Sequence, residues 1–162
     1  MKVLQINSVA NTASTGRLSE EIGKVLKMHG HESHITYGRG NAVSESNLIK
    51  IGKDLDNYIH HGYTMLTDKH GWSSTSATKT FIKKVEVLDP DRLLLHNLHG
   101  YYINLPLLFD WINRKNKPVL WTMFDCWAFT GHCSYFDDID CEKWKKLCHT
   151  CPKSANYPRS LV

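Results

Sequence analysis

The sequence predicts an α/β domain of the doubly wound kind, a mostly parallel sheet with helices on both faces. Short apolar runs bounded by turn residues alternate with stretches whose apolar residues recur at helical spacing. Clusters of polar and aromatic residues follow directly after those runs. In such sheets the ligand crevice lies outside the carboxyl ends of the strands, so these clusters are the places to look for chemistry. A chain of 162 residues is long enough for one domain with a real core.

The elements follow in order. Val3, Leu4 and Ile6 make a first buried strand over 2–7 that stops at the turn-prone Asn7-Ser8. A helix is expected over 16–29, with Leu18, Ile22, Val25 and Leu26 as its apolar face. Thr15 can cap it, Glu20 and Glu21 suit its positive end, and Gly30 can close it. A second strand over 31–37 ends at Gly38-Arg39-Gly40, and a polar surface loop spans 41–47. A short strand is expected over 48–51. Leu55, Tyr58, Ile59, Tyr63 and Leu66 then suggest a helix with a less regular apolar face. Ala77, Phe81, Ile82, Val85 and Leu88 mark a clearer helix, stopped at Asp89-Pro90 because proline lacks the amide proton and crowds the preceding turn. A strand over 92–96 centres on Leu93-Leu94-Leu95. The next helix carries Ile103, Leu107, Leu108, Trp111 and Ile112, with Pro106 tolerated in its first turn. Pro118 introduces a last strand over 119–123. Periodicity fades after Trp127, so the domain proper is assigned to 1–125 and a Cys-rich, aromatic loop extension of it to 126–162.

Composition narrows the functional classes. Hydrophobic residues are 41% and charged residues 22%, near the averages for soluble globular proteins. No apolar stretch is long enough to cross a bilayer, and the start lacks the features of a signal peptide, so a cytoplasmic location is expected. The net charge of +4 is modest and the Lys and Arg residues are scattered, unlike the basic stripe of a nucleic-acid binder. A positive balance still suits phosphorylated small molecules or a peripheral contact with an anionic membrane face.

Four regions can carry chemistry. The loop 7–17 leads into a helix whose amino end can bind phosphate, although it matches neither Gly-x-Gly-x-x-Gly nor the P-loop pattern. A Ser/Thr-rich helix start that merely caps itself explains it as well. His96-Asn97-Leu98-His99-Gly100-Tyr101-Tyr102 gathers imidazoles, an amide and phenols at a strand end, groups suited to sugar hydroxyls, though a histidine there is as readily structural. The richest segment runs from Trp121 to Cys133. Finally, Cys133, Cys141, Cys148 and Cys151 fall in one short region with His132 and His149 among them. Clustered cysteines in a cytosolic chain favour a structural zinc, while the wide Cys133 to Cys141 spacing leaves disulfides and unlinked thiols open. Cys126 reads as a buried small residue.

Phe124-Asp125-Cys126-Trp127-Ala128-Phe129-Thr130-Gly131-His132-Cys133 resembles the signature segment of bacterial family-4 glycosyltransferases of capsule, exopolysaccharide or O-antigen assembly. Asn7-Ser8 with Ser14-Thr15-Gly16-Arg17, the 96–102 run and Cys148-His149-Thr150-Cys151-Pro152 match in the same order. The resemblance implies a Rossmann-like domain, the N-terminal half of a GT-B fold, in an enzyme that moves a sugar from a nucleotide donor to a saccharide or lipid-linked acceptor with retention. It places Ser14, Thr15, Gly16 and Arg17 near the donor phosphates and His96, Asn97, His99, Tyr101 and Asp125 along the acceptor cleft, Asp125 being the catalytic candidate. No catalytic cofactor is implied. A C-terminal GT-B half would supply most donor contacts, and without it the domain is expected to be inactive. The family pattern has His where this sequence has Phe124, which cannot donate a hydrogen bond or move a proton. Ala10 and Ala13 stand where relatives often have Cys and Gly. A non-catalytic sugar-binding or assembly module, stabilised by zinc, is the rival reading.

Overall fold

The computed structural model describes residues 1–40, 43–130, 132–148 and 150–161. Five strands, β1 (Lys2–Ile6), β2 (Glu32–Tyr37), β3 (Asn47–Lys50), β4 (Arg92–Leu95) and β5 (Val119–Trp121), form one parallel sheet in the order β3-β2-β1-β4-β5. In register, Leu4 lies between His34 and Leu93, and Ile6 between Thr36 and Leu95. The chain steps outward from β1 to β3 and then returns to β4 on the other side. The order therefore reverses between β1 and β4, and a crevice opens there past the strand ends. This is the Rossmann-like α/β architecture that the sequence predicts.

Four helices cover the sheet: α1 (Ala13–Met28), α2 (Asp54–Thr67), α3 (Thr75–Leu88) and α4 (Leu105–Lys115). Alternation along β1 sorts the two faces. Leu4 and Ile6 join Phe81, Val85, Leu93, Leu95, Leu108 and Trp111 in the main core beneath α3 and α4. Gln5 points to the opposite face, where its amide donates to the Ser19 carbonyl of α1. The smaller cluster of Ala10, Ile35 and Tyr37 lies apart from the main core. Pro106 occupies the first turn of α4, and Asn104 caps it by accepting the Leu107 N–H.

Two helices turn the opposite way from what their apolar residues suggest. The helix expected from 16 begins at Ala13, so Thr15 lies inside the first turn and Thr12 takes the cap position. Its buried residues are Gly16, Ser19, Glu20 and Gly23, while Leu18 and Val25 are exposed. Close approach to the sheet explains this, since a Cβ on Gly23 would overlap the Ser46 hydroxyl and sit 3.1 Å from that of Ser33. Glu20 is tolerated inside because its carboxylate accepts from the Ser44 hydroxyl and the Glu45 N–H. On α2 the buried residues are His60 and Thr64, and Leu55, Tyr58, Ile59 and Leu66 face outward. An inward anchor is polar too, because Asn57 donates to the Gly38 carbonyl.

Strand ends are shorter than the apolar runs suggest. His96 lies past β4, and Thr122 and Met123 lie past β5, an edge strand whose Val119 and Leu120 are exposed. Beyond Asp125 the described residues hold two single turns of 3-10 helix, Asp137–Ile139 and Lys143–Lys145. This segment packs against the end of α2 through His132 to Asp68 at 2.8 Å and the Leu161 N–H to the Met65 carbonyl. No helix among the described residues is long and apolar enough to cross a membrane. Asn41 and Ala42 of the expected polar loop, Gly131 of the signature and His149 of the cysteine region lie outside the described residues.

Candidate functional site

The crevice is built by tying three strand-end loops together. Buried Asn7, at the end of β1, accepts the Ser8 N–H at 2.9 Å and the Asn97 N–H at 3.3 Å with one side-chain oxygen. The Ser8 carbonyl accepts both the Gly38 and Arg39 N–H groups after β2. A Cβ on Gly38 would overlap Tyr102, whose hydroxyl donates to the Asn97 carbonyl. The loop backbone at Gly100 has φ of 124°, a conformation open to glycine but strained for other residues.

His96 is a structural post behind this rim. Its Nε2 faces the Gln5 oxygen at 2.9 Å. Since the Gln5 NH2 already donates to Ser19, that oxygen is left to accept, and the proton belongs on Nε2. Burial pushes the His96 pKa down to about 4, so the ring is neutral at neutral pH. The Phe124 ring lies 5.9 Å from it, centroid to centroid, tilted by 30°.

His99 joins the rim to the extension. Its Nε2 is 2.7 Å from Asp125 Oδ2 and its Nδ1 is 3.0 Å from the Tyr157 hydroxyl. Burial alone would raise the Asp125 pKa, but the hydrogen bond and charge of His99, with the Trp127 N–H on Oδ1 at 3.0 Å, outweigh it and hold the carboxyl below its ordinary value. An ionised Asp125 makes Nε2 the donor, so the Tyr157 hydroxyl donates to Nδ1 when the ring is neutral. Burial raises the Tyr157 pKa to about 12, which keeps that hydroxyl protonated.

A cavity of about 300 Å³ lies in front of these posts, lined by Ser14, Thr15, Leu18, Asn97, Phe124, Asp125 and Tyr135. The structure thus brings the start of α1 to the end of β4 and to Asp125. It separates the other candidates. Gly16 is buried against the loop, where a Cβ would meet the Asn11 nitrogen at 3.2 Å, and Arg17 is exposed outside the lining. His96 and His99 stand behind the cavity in a region with only about 10 Å³ of free space. Tyr101 turns away, its ring centroid 4.8 Å from those of both His61 and His70. Ala13 has φ of 53°, a left-handed conformation that glycine adopts more easily.

Several residues at the rim carry no distinct sequence pattern of their own. Arg39 has a buried Nε without a hydrogen-bond partner, and its guanidinium would approach a Cβ on Gly100 to 3.4 Å. Its position after β2 between two glycines is the signal that could have singled it out. Tyr135 and Tyr157 come from the extension, where no periodicity marks them. His70 sits among His99, Tyr101 and Trp127, and burial, reinforced by His99 and the other nearby imidazoles, lowers its pKa to about 3.

The cysteines are all free thiols, so the disulfide alternative finds no support. Burial raises the Cys133 pKa, with Cys151 and Cys141 adding to it. Among the described residues no three His, Cys, Asp or Glu side chains converge to hold a metal, and Cys133, Cys141, Cys148 and Cys151 do not form an assembled zinc set there.

No family model matches the sequence. A search of curated proteins finds 26% identity over 170 aligned positions to a putative colanic acid biosynthesis glycosyl transferase, WcaC, of Escherichia coli K12. Along nearly its whole length, the chain is similar to a glycosyl transferase. The alignment covers 98% of this chain and 41% of the relative, so the chain spans about two fifths of that protein's length. Among solved structures, the glycosyltransferase VinC in complex with dTDP aligns with 74% of this chain and 33% of its own, at TM-score 0.48 and 16% identity.

Proposed function

We propose that this chain is the acceptor-side, N-terminal domain of a GT-B sugar transferase of bacterial polysaccharide assembly, working with a C-terminal half that holds most of the nucleotide sugar. The observation that carries the reading is the single cavity shared by Ser14 and Thr15 at the start of α1, Asn97 after β4, and Asp125. Hydroxyls and free amide groups at a helix start suit the donor phosphates. An ionised carboxylate and an amide lining the same cavity suit acceptor hydroxyls. Similarity to a colanic acid glycosyl transferase supports the reaction class.

Phe124 favours a second reading, a sugar-binding module without turnover, because the cavity wall that would carry a family histidine is apolar. One experiment separates the two. Transfer from a panel of nucleotide sugars is measured for the chain alone and with a C-terminal half supplied separately. Turnover only in the mixture, lowered at least tenfold by Asp125→Asn, is the expected result. Saccharide binding without turnover in either case would favour the module, and absence of both would end the proposal.

A further inference from the structure

Arg39 stands at the crevice rim as a cation without a counter-charge. The turn that carries it, Gly38-Arg39-Gly40, follows directly on β2. Its backbone is pinned, because the Ser8 carbonyl accepts the Gly38 and Arg39 N–H groups. From there the side chain reaches to the loop after β4, where Nη2 and Cζ would lie 3.4 and 3.6 Å from a Cβ on Gly100. A larger side chain at position 100 would crowd the guanidinium, and glycine keeps the space beside it open.

The protein does not neutralise this half-buried charge. Nε is buried without a hydrogen-bond partner, and among the described residues the guanidinium enters no hydrogen bond and no ion pair. Its field reaches Tyr101, Tyr102 and Tyr157. Burial raises the pKa of all three phenols, so they stay neutral at pH 7 and none serves as a counter-ion. Two of the hydroxyls are committed elsewhere, Tyr102 to the Asn97 carbonyl and Tyr157 to His99 Nδ1. Asp125, whose charge also reaches Tyr157, is engaged by the His99 ring and the Trp127 N–H. Withdrawing a cation from water without a partner costs free energy. A fold that keeps such a cost at a ligand crevice leaves the missing charge to the ligand.

We infer that Arg39 is a specificity residue of the acceptor site, gripping a carboxylate on the acceptor with its guanidinium fork. A planar carboxylate matches the fork in shape. One guanidinium balances one negative charge, which suits a carboxylate better than a phosphate monoester carrying about two. Gly100 directly follows His99, whose ring holds Asp125, so the fork and the proposed catalytic carboxylate meet the same loop. The inference rests on the sugar-transfer reading and adds the acceptor's class to it, an acidic sugar.

The test is titration calorimetry of the full chain against glucuronate, glucose and glucose 6-phosphate. Glucuronate should bind at least about tenfold more tightly than glucose, and more tightly than the phosphate. Arg39→Gln should weaken glucuronate about tenfold, to the level of glucose, and Arg39→Lys, which keeps the charge but not the fork, should recover only part of that. Because Arg39→Gln removes an unpaired charge, its melting temperature should be no lower than the parent's. Glucuronate bound no better than glucose, a preference for the phosphate, full recovery by lysine, or a destabilised glutamine variant would each overturn the inference. The two readings fail separately. Sugar binding blind to charge ends this one and leaves transfer standing, whereas charge-selective binding without turnover in the two-half mixture ends transfer and leaves this one.

Discussion

His99 holds two polar groups that would otherwise be stranded at the rim. Asp125 and Tyr157 both point at its ring nitrogens, and its side chain is 9% exposed. Replacing it by leucine keeps the volume but leaves a carboxylate and a phenol without their partner. We expect His99→Leu to cost about 2–4 kcal/mol in urea unfolding, well above the roughly 1 kcal/mol of an ordinary hydrogen bond. A loss under 1 kcal/mol would mean that water replaces the imidazole. The adjacency of His99 and Asp125 was only partly legible in the sequence. Both fall after strands that end on one rim, which parallel topology makes predictable. Their partner Tyr157 arrives from an aperiodic segment 58 positions away, and no local pattern announces such a contact.

At the level of elements, close packing replaces apolar packing around the crevice. Gly38 has no room for even a methyl group against Tyr102, so Gly38→Ala must displace the Tyr102 ring or the loop after β2. A loss of about 2–3 kcal/mol in chemical denaturation is expected, in line with overpacked cores. An alanine variant as stable as the parent would show that the loop gives way freely. The same preference for close approach explains why the apolar residues of α1 and α2 do not mark their buried faces. Amphipathic spacing tells that a helix has a distinct apolar side, but not that this side faces the sheet. On α1 the small residues Gly16, Ser19 and Gly23 give the tighter contact, and on α2 His60 finds the Ser74 hydroxyl at 2.8 Å. β1, β4 and α4 were legible because most of their apolar residues are also their buried ones.

For the whole molecule, the buried imidazoles dictate how stability follows pH. Burial lowers the pKa of His60 and of His96 to about 4, and burial with neighbouring imidazoles lowers that of His70 to about 3. In the unfolded chain each would titrate near 6.5. The unfolded state therefore binds more protons from about pH 6.5 down to the folded values, and stability falls as pH falls through that window. Each contributes roughly 2 kcal/mol of loss between pH 7 and 5 when fully buried. Asp125, whose pKa is depressed, adds a loss only at lower pH, as the medium falls through its folded value. The urea midpoint should drop clearly between pH 7 and 5, and His60→Gln should reduce the slope. A midpoint flat across that interval would contradict the burial of these rings.

Among the described residues, β5 is an edge of the sheet. β5 is three residues long, pairs on one side with β4, and carries exposed Val119 and Leu120 at the margin. Its outer row of amide and carbonyl groups is a half-made ladder. A further extended segment in step with Val119–Trp121 would lengthen the sheet there by main-chain bonding alone, two strands away from β1 and the loop that begins at Asn7.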